Sequence, residues 1–326
     1  MKSIMFHLNN LTFRGTTTAV IDYATYNQSI LNNKSIISYP KNLLGPNDEI
    51  NSTRRFEIAE FFRNNFDTIE YENKEELKSE LDNRGCEYVH YLKAGMMDND
   101  YLEGKINLIH CVFNHYQPHG HRYAYISNWL KNHATANDPT FNYVPHIVTL
   151  PENQTEDLRE RLGIDKSKTV IGRHGGFHEF DIIFAQEVVK YILSTDNSFV
   201  FLFLNTNPFI YHPNVIYLDS VFDPQDKTNF ILACDIMLQA RSLGESFGLS
   251  ICEGLFHNKP VLSFGGGPDK HNVELTEKYN LIYNNPNELY QKLMELKNGS
   301  DIDYKSIVEQ FSPVNVMNKF NEVFLK

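Results

Sequence analysis

The sequence predicts an α/β fold of two doubly wound domains facing a central cleft, and three observations lead there. The chain has 326 residues, more than one hydrophobic core ordinarily organises. Short β-rich apolar runs alternate with amphipathic helical stretches, as parallel strands joined by crossover helices do. The alternation breaks once, at YVPHIVTLPEN, where Pro145 and Pro151 bracket an extended segment without helical period, and then it restarts.

In the first half, residues 3–8 read as a strand, and 15–31 as a loop and a helix with Val20, Tyr23, Ala24 and Ile30 on one face. Residues 34–39 form the next strand. NKEEL, from Asn73, places Glu76 three residues on, a capping-box start for a helix reaching about Arg84. Strands follow at 87–92, 106–112 and 123–127, giving a first domain over residues 1–147. In the second, residues 148–312, strands are expected at 169–172, 199–204, 215–218, 236–239 and 260–264, with helices at 180–193, 226–234 and 247–257. SFVFLFLN is apolar on both faces, as a parallel strand covered by helices should be. A last helix, 313–326, is expected to pack back on the first domain. Ligands of open α/β sheets bind outside the carboxyl ends of the strands, so loops that follow strands should carry the chemistry.

Composition narrows the function. Hydrophobic residues make up 41% and charged residues 22%, the balance of a soluble globular protein, and no apolar run approaches the roughly 20 residues of a membrane span. MKSIMFHLNN lacks the apolar length and small-residue cleavage site of a secretory signal, so a cytoplasmic location is expected, with membrane association at most peripheral. Cys86, Cys111, Cys234 and Cys252 form no close pair and suggest neither a disulfide framework nor a zinc knuckle. A net charge of -11 argues against a nucleic-acid partner, whose affinity would come from cations on phosphates, yet leaves room for a local basic pocket.

The strongest constellation is RSLGESFGLSICEGLFHNKPVL. After the strand ending at Gln239, a turn containing Gly244 leads into a helix expected from about Ser246, and free amides at a helix start suit phosphate. Glu245 stands at that mouth and Glu253 eight residues later, about two helical turns on. Two carboxylates so placed can address a sugar's hydroxyls and a ribose diol. The plain reading is an amphipathic helix with Glu253 on its solvated face. A second site is TVIGRHGGFHEFD: Arg173 is a candidate for a diphosphate, and Gly175 and Gly176 either admit a ligand close to the backbone or simply make the turn. Arg241 adds a cation or a rim salt bridge. In the first domain, Gly15 in Phe13-Arg14-Gly15-Thr16 follows the first strand, but the run is not GxGxxG, which lowers a dehydrogenase reading. His110, His115, His119 and His121 cluster without the spacing of a metal site, so no metal is expected. Lys93 and Asp98 follow a first-domain strand, and His119 lies on a first-domain loop; His271 and Glu274 lie on the glycine-rich loop after residue 264.

Glutamate, seven residues, glutamate, with Ser-Phe-Gly directly after the first and GLFHNKPVL from Gly254 to Leu262, resembles the donor-binding signature of glycosyltransferase family 4 and its GT-B relatives. The resemblance implies two Rossmann-like domains, the first for the acceptor, with Lys93, Asp98 and His119 as acceptor-side candidates, and the second for a nucleotide-diphosphate sugar. It implies that Glu245, within the loop Gly244, Ser246, Phe247, Gly248 and Leu249, holds the donor sugar, the amides of Phe247 and Gly248 assisting, and that Glu253 holds the ribose. It implies Arg173 on the diphosphate and His110, at a strand end, beside the transferred sugar, with Glu245 as its catalytic partner. Retention of configuration, with neither metal nor cofactor beyond the sugar nucleotide, is implied too, and a glycan, lipid-linked or protein acceptor. The pattern departs at one place: the family's lysine after the arginine is absent, and His174, His178, Glu179 and Asp181 occupy that region. SNWL resembles the family's Ser-Glu-Trp helix start, with Asn128 in place of the acid. The alternatives are a nucleotide-sugar epimerase of the same architecture, a non-catalytic sugar-nucleotide-binding protein and, third, an oxidoreductase.

Overall fold

A computed structural model describes residues 1–12, 15–44 and 49–326; Phe13 and Arg14 of the expected first-domain loop lie outside them. The chain divides into two compact units, Met1–Ile147 with Pro313–Lys326, and Val148–Ser312.

Unit 1 runs β1 (Ser3–His7), α1 (Gly15–Ser29), β2 (Lys34–Pro40), α2 (Glu49–Asn65), β3 (Asp67–Tyr71), α3 (Lys74–Asn83), β4 (Tyr88–Lys93), β5 (Ile106–Cys111), β6 (Arg122–Tyr125), α4 (Asn128–Ala134) and β7 (Asn142–Tyr143). Its strands pair in parallel in the order β3-β2-β1-β4-β5-β6-β7. Ile4, Met5 and Phe6 of β1 are all buried, because helices cover both faces of an all-parallel sheet. α3 begins on the expected cap: Asn73 accepts from the Glu76 amide at 2.9 Å, while Glu76 reaches back to the amide of Glu72, one residue before the cap, at 2.7 Å.

Unit 2 runs α5 (Leu158–Arg161), β8 (Thr169–Arg173), α6 (Ile183–Thr195), β9 (Phe199–Leu204), β10 (Val215–Leu218), α7 (Pro224–Ala233), β11 (Ile236–Gln239), β12 (Gly244–Glu245), α8 (Leu249–Phe256), β13 (Val261–Phe264), β14 (Asp269–Lys270), α9 (His271–Thr276), β15 (Ile282–Tyr283) and α10 (Pro286–Leu296). The main sheet is parallel in the order β10-β9-β8-β11-β13-β15. All six residues of β9 are buried, as SFVFLFLN predicts. The last helix, α11 (Pro313–Phe320), belongs to unit 1 and continues as a π-turn over Asn321–Leu325. Its Phe320 ring lies 5.5 Å from that of Tyr23 in α1. The four cysteines are free and buried.

One expected element is corrected. The helix placed at 247–257 begins only at Leu249, because Gly248, at φ 80°, takes a left-handed turn that interrupts the helical backbone. Glu245 is therefore not on that helix. It lies in β12, which pairs with β14 and joins the loops that follow β11 and β13.

Candidate functional site

In unit 2 the strand order reverses direction between β8 and β11, and at such a switch point the two following loops diverge to leave a crevice at the carboxyl ends of the strands. Arg173 ends β8, and Arg241 follows β11 by two residues. The loops are tied together: Asp181 accepts from the Ser242 amide at 2.7 Å and from its hydroxyl at 2.5 Å, while its own amide donates to the Ala240 carbonyl at 3.0 Å. Gly244 fixes the other side. At φ 71°, a Cβ on it would stand 1.9 Å from the Asp269 carbonyl oxygen, so only glycine lets β12 and β14 meet.

Between these loops charges alternate. Arg241 Nη1 lies 3.2 Å from Glu245 Oε2 and donates to the Gly244 carbonyl at 3.2 Å, and its Nη2 lies 3.6 Å from Glu179 Oε1. The Glu245 side chain is 14% exposed. Burial pushes its carboxyl up to about 7; Arg241 opposes that rise and Glu179 adds to it.

Glu253, in the second turn of α8, has both oxygens occupied. His174 Nε2 lies 2.7 Å from Oε2 and Lys227 Nζ, from α7, 2.6 Å from Oε1. Burial alone would raise this carboxyl, but Lys227 and His174 outweigh it and hold the group near 2. Hence Glu253, 4% exposed, is not on a solvated helix face. Sequence reasoning missed Lys227, since nothing in PQDKTNF marks which face of α7 meets α8.

The remaining expected residues fall into several places. Arg173 is 1% exposed. Its Nη1 donates to the Asn205 carbonyl at 3.1 Å and Thr206 Oγ1 at 2.8 Å, and its Nη2 to the Gly176 carbonyl at 2.8 Å. Burial lowers its pKa to about 10. The guanidinium is thus turned onto backbone carbonyls and the Thr206 hydroxyl and shapes the glycine turn, with Gly175 wrapped over it at 3.0 Å from a would-be Cβ. Phe247 is buried, stacked on His271 at 5.2 Å, and its carbonyl lies 2.6 Å from His271 Nδ1. Ser246 and Leu249 are half-buried on either side of Phe247 and Gly248, next to Glu245.

In unit 1, Gly15 is the exposed first residue of α1. Lys93, at the end of β4, is buried with Nζ 2.5 Å from Asp98 Oδ1. His119 has Nδ1 2.7 Å from the Gln117 carbonyl oxygen. His110, at the end of β5, is enclosed. Its ring has no exposed surface; Nε2 lies 2.8 Å from the Val144 carbonyl oxygen and Nδ1 3.2 Å from His90 Nε2, beneath Phe324 at 5.3 Å. Burial lowers its pKa to about 4. Strand alternation points this residue into the layer of Tyr23, Phe320 and Phe324. Among the described residues no group of three His, Cys, Asp or Glu side chains is arranged to hold a metal ion, and no helix is long and apolar enough to cross a membrane.

No protein-family model and no curated protein matches the chain. Solved structures do. A glycosyltransferase from Rickettsia africae is similar at a TM-score of 0.72 and 15% identity, covering 99% of this chain and 97% of its own. HepE of Anabaena, solved with UDP-glucose, gives 0.75 at 11% identity, with 99% of each chain covered. A TarM variant of S. aureus, solved with UDP, α-GlcNAc-glycerol and fondaparinux, gives 0.71 at 10%, with 100% of each covered. The likeness is one of fold: two parallel, Rossmann-like α/β sheets with their helices, as in GT-B glycosyltransferases.

Proposed function

We propose that the chain is a glycosyltransferase that moves a sugar from a nucleotide-diphosphate sugar to an acceptor hydroxyl, with retention of configuration and without a metal. The observation that carries this is Arg241 beside Glu245 at the switch point of unit 2, on a fold shared with a Rickettsia africae glycosyltransferase and with HepE and TarM, which were solved with UDP-glucose and with UDP. Glu245 accepts the sugar hydroxyls. Arg241 and the backbone amides of the β8 and β11 loops carry the charge of the leaving diphosphate, where preorganised donors lower the barrier most. Glu253, kept ionised by Lys227 and His174, offers its remaining lone pairs to the ribose diol. Arg173 positions the glycine turn.

Thermal shift against UDP-, GDP- and ADP-sugars tests the first half of the reading, since a ligand at 100 times its dissociation constant stabilises by about 2.7 kcal/mol. Product analysis with acceptor present and absent tests the second. Turnover of donor to an isomer without acceptor would point to an epimerase, and binding without turnover to a non-catalytic protein. A Glu245→Ala variant with undiminished transfer would overturn the assignment.

A further inference from the structure

The Glu179 carboxylate occupies the kind of place that a bound anion takes. Oε2 accepts from the Gly176 amide at 3.1 Å, and Oε1 lies 3.6 Å from Arg241 Nη2. The loop is shaped around it. A Cβ on Gly176 would stand 2.4 Å from the Glu179 carboxyl carbon and 2.5 Å from Oε2, and the Glu179 amide turns back to the Gly176 carbonyl at 3.0 Å. Glycine at 176 thus leaves room for two oxygens against a bare amide. Beside them, Nε of Arg241 and Nε of Arg173 are both buried without a hydrogen-bond partner, so donor capacity at this spot exceeds what Glu179 uses.

An amide and a guanidinium that hold a carboxylate hold a phosphate by the same charge-assisted hydrogen bonds. Both anions cannot be there together, because like charges at that spacing repel. We propose that the Gly176 amide and the Arg241 guanidinium form the pocket for one phosphate of a nucleoside diphosphate, and that Glu179 fills it as a resident anion which the ligand displaces. This rests on the sugar-nucleotide reading for its ligand, but the pocket is a claim about anions in general. Glu179 is suited to leave: its side chain is 33% exposed and its contact with Arg241 is long, the kind of ion pair that adds little. On departure it frees Arg241 from one of two carboxylates, and Glu245 stays for the sugar.

The test is calorimetric titration of inorganic pyrophosphate and of UDP into the wild type, Glu179→Gln and Glu179→Ala, and into the same variants carrying Arg241→Gln. Removing the resident anion should tighten both ligands by roughly one-and-a-half- to fivefold, the range for a partly exposed pair, and the gain should vanish in the Arg241→Gln background. A Glu179 that only braces its loop predicts a lower melting temperature and unchanged or weaker binding, which overturns the proposal. UDP binding with no gain would overturn the pocket and leave the sugar-nucleotide reading standing. A gain for pyrophosphate with no UDP binding would support the pocket and overturn that reading, and no binding of either ligand to any of these proteins would overturn both.

Discussion

Arg241 stands between two carboxylates, with Nη1 3.2 Å from Glu245 Oε2 and Nη2 3.6 Å from Glu179 Oε1. Among the described residues Arg241 is the cation that ion-pairs with Glu245, and Arg173 adds a smaller favourable charge to that carboxylate. Arg241→Gln should weaken UDP binding by about 1.5–3 kcal/mol, the worth of a charge-assisted hydrogen bond, or roughly ten- to a hundredfold. Arg241→Lys should recover only part of it, because a point charge cannot serve two acceptors as a planar fork does. Titration calorimetry reads both; a Gln variant that binds like the wild type would remove Arg241 from the site.

Glu245 gives the site a pH dependence. Its folded pKa of about 7 lies above its ordinary 4.5, so its contribution to stability is present in acid and is lost as pH rises through about 7. Binding runs the other way. The ionised carboxylate accepts sugar hydroxyls more strongly than the protonated one, so affinity for a UDP-sugar relative to UDP should rise between about pH 6 and pH 8. In Glu245→Gln the ratio should be flat across that window. A wild-type ratio already flat there would show that Glu245 does not touch the sugar.

Much of the fold was legible in the sequence because parallel strands buried on both faces announce themselves by composition, as SFVFLFLN does, and because Asn73 and Glu76 mark a helix start by local chemistry alone. The same chemistry starts α10, where Asn285 accepts from the Glu288 amide and Glu288 from that of Asn284, though no helix was expected there. The site was legible as a set of residue types at a spacing. What periodicity could not carry was the path of the backbone between them: Gly248 in a left-handed turn takes Glu245 off the helix that holds Glu253. Side-chain direction was equally hidden. A strand-end position suggested an outward His110 and Arg173, whereas the layers that enclose them come from segments distant in sequence, Phe324 in one case and Asn205 with Thr206 in the other.

Gly244 separates conformational strain from steric exclusion. Alanine there must adopt φ near 71° and place Cβ 1.9 Å from the Asp269 carbonyl oxygen, a backbone atom that cannot swing aside. Gly85 has φ 61° and nothing within 4 Å of a would-be Cβ. Gly85→Ala should therefore cost about 1 kcal/mol for the left-handed backbone alone, and Gly244→Ala about 2–3 kcal/mol or more, together with loss of UDP-sugar binding as β12 and β14 separate. Thermal unfolding of the two variants, with and without UDP, makes the comparison. Equal melting temperatures would mean that the β12–β14 contact contributes nothing.

Lys227 is the residue whose loss should expose the buried charge beneath the site. Glu253 is held near pKa 2 against an ordinary 4.5, so the stability it adds is present above about pH 4.5 and is lost as pH falls towards 2. Lys227→Met leaves one oxygen of a buried carboxylate without its cation, and His174 alone cannot replace it unless it takes up a proton. Burial opposes that protonation, lowering the His174 pKa even though Glu253 favours it. The variant should lose about 1–3 kcal/mol at neutral pH, less than a fully enclosed pair would, because Lys227 is 16% exposed. Lys227→Arg should restore most of the loss, whereas the double variant Lys227→Met with Glu253→Gln should be more stable than Lys227→Met alone, since no charge is then left uncompensated. Melting temperatures at pH 7 and near pH 4 distinguish the cases: the penalty of Lys227→Met should shrink in acid because Glu253, no longer held down by Lys227, takes up a proton in the variant, and a penalty that is the same at both values would mean that packing of the lysine stem, not its charge, is what α7 supplies to Glu253.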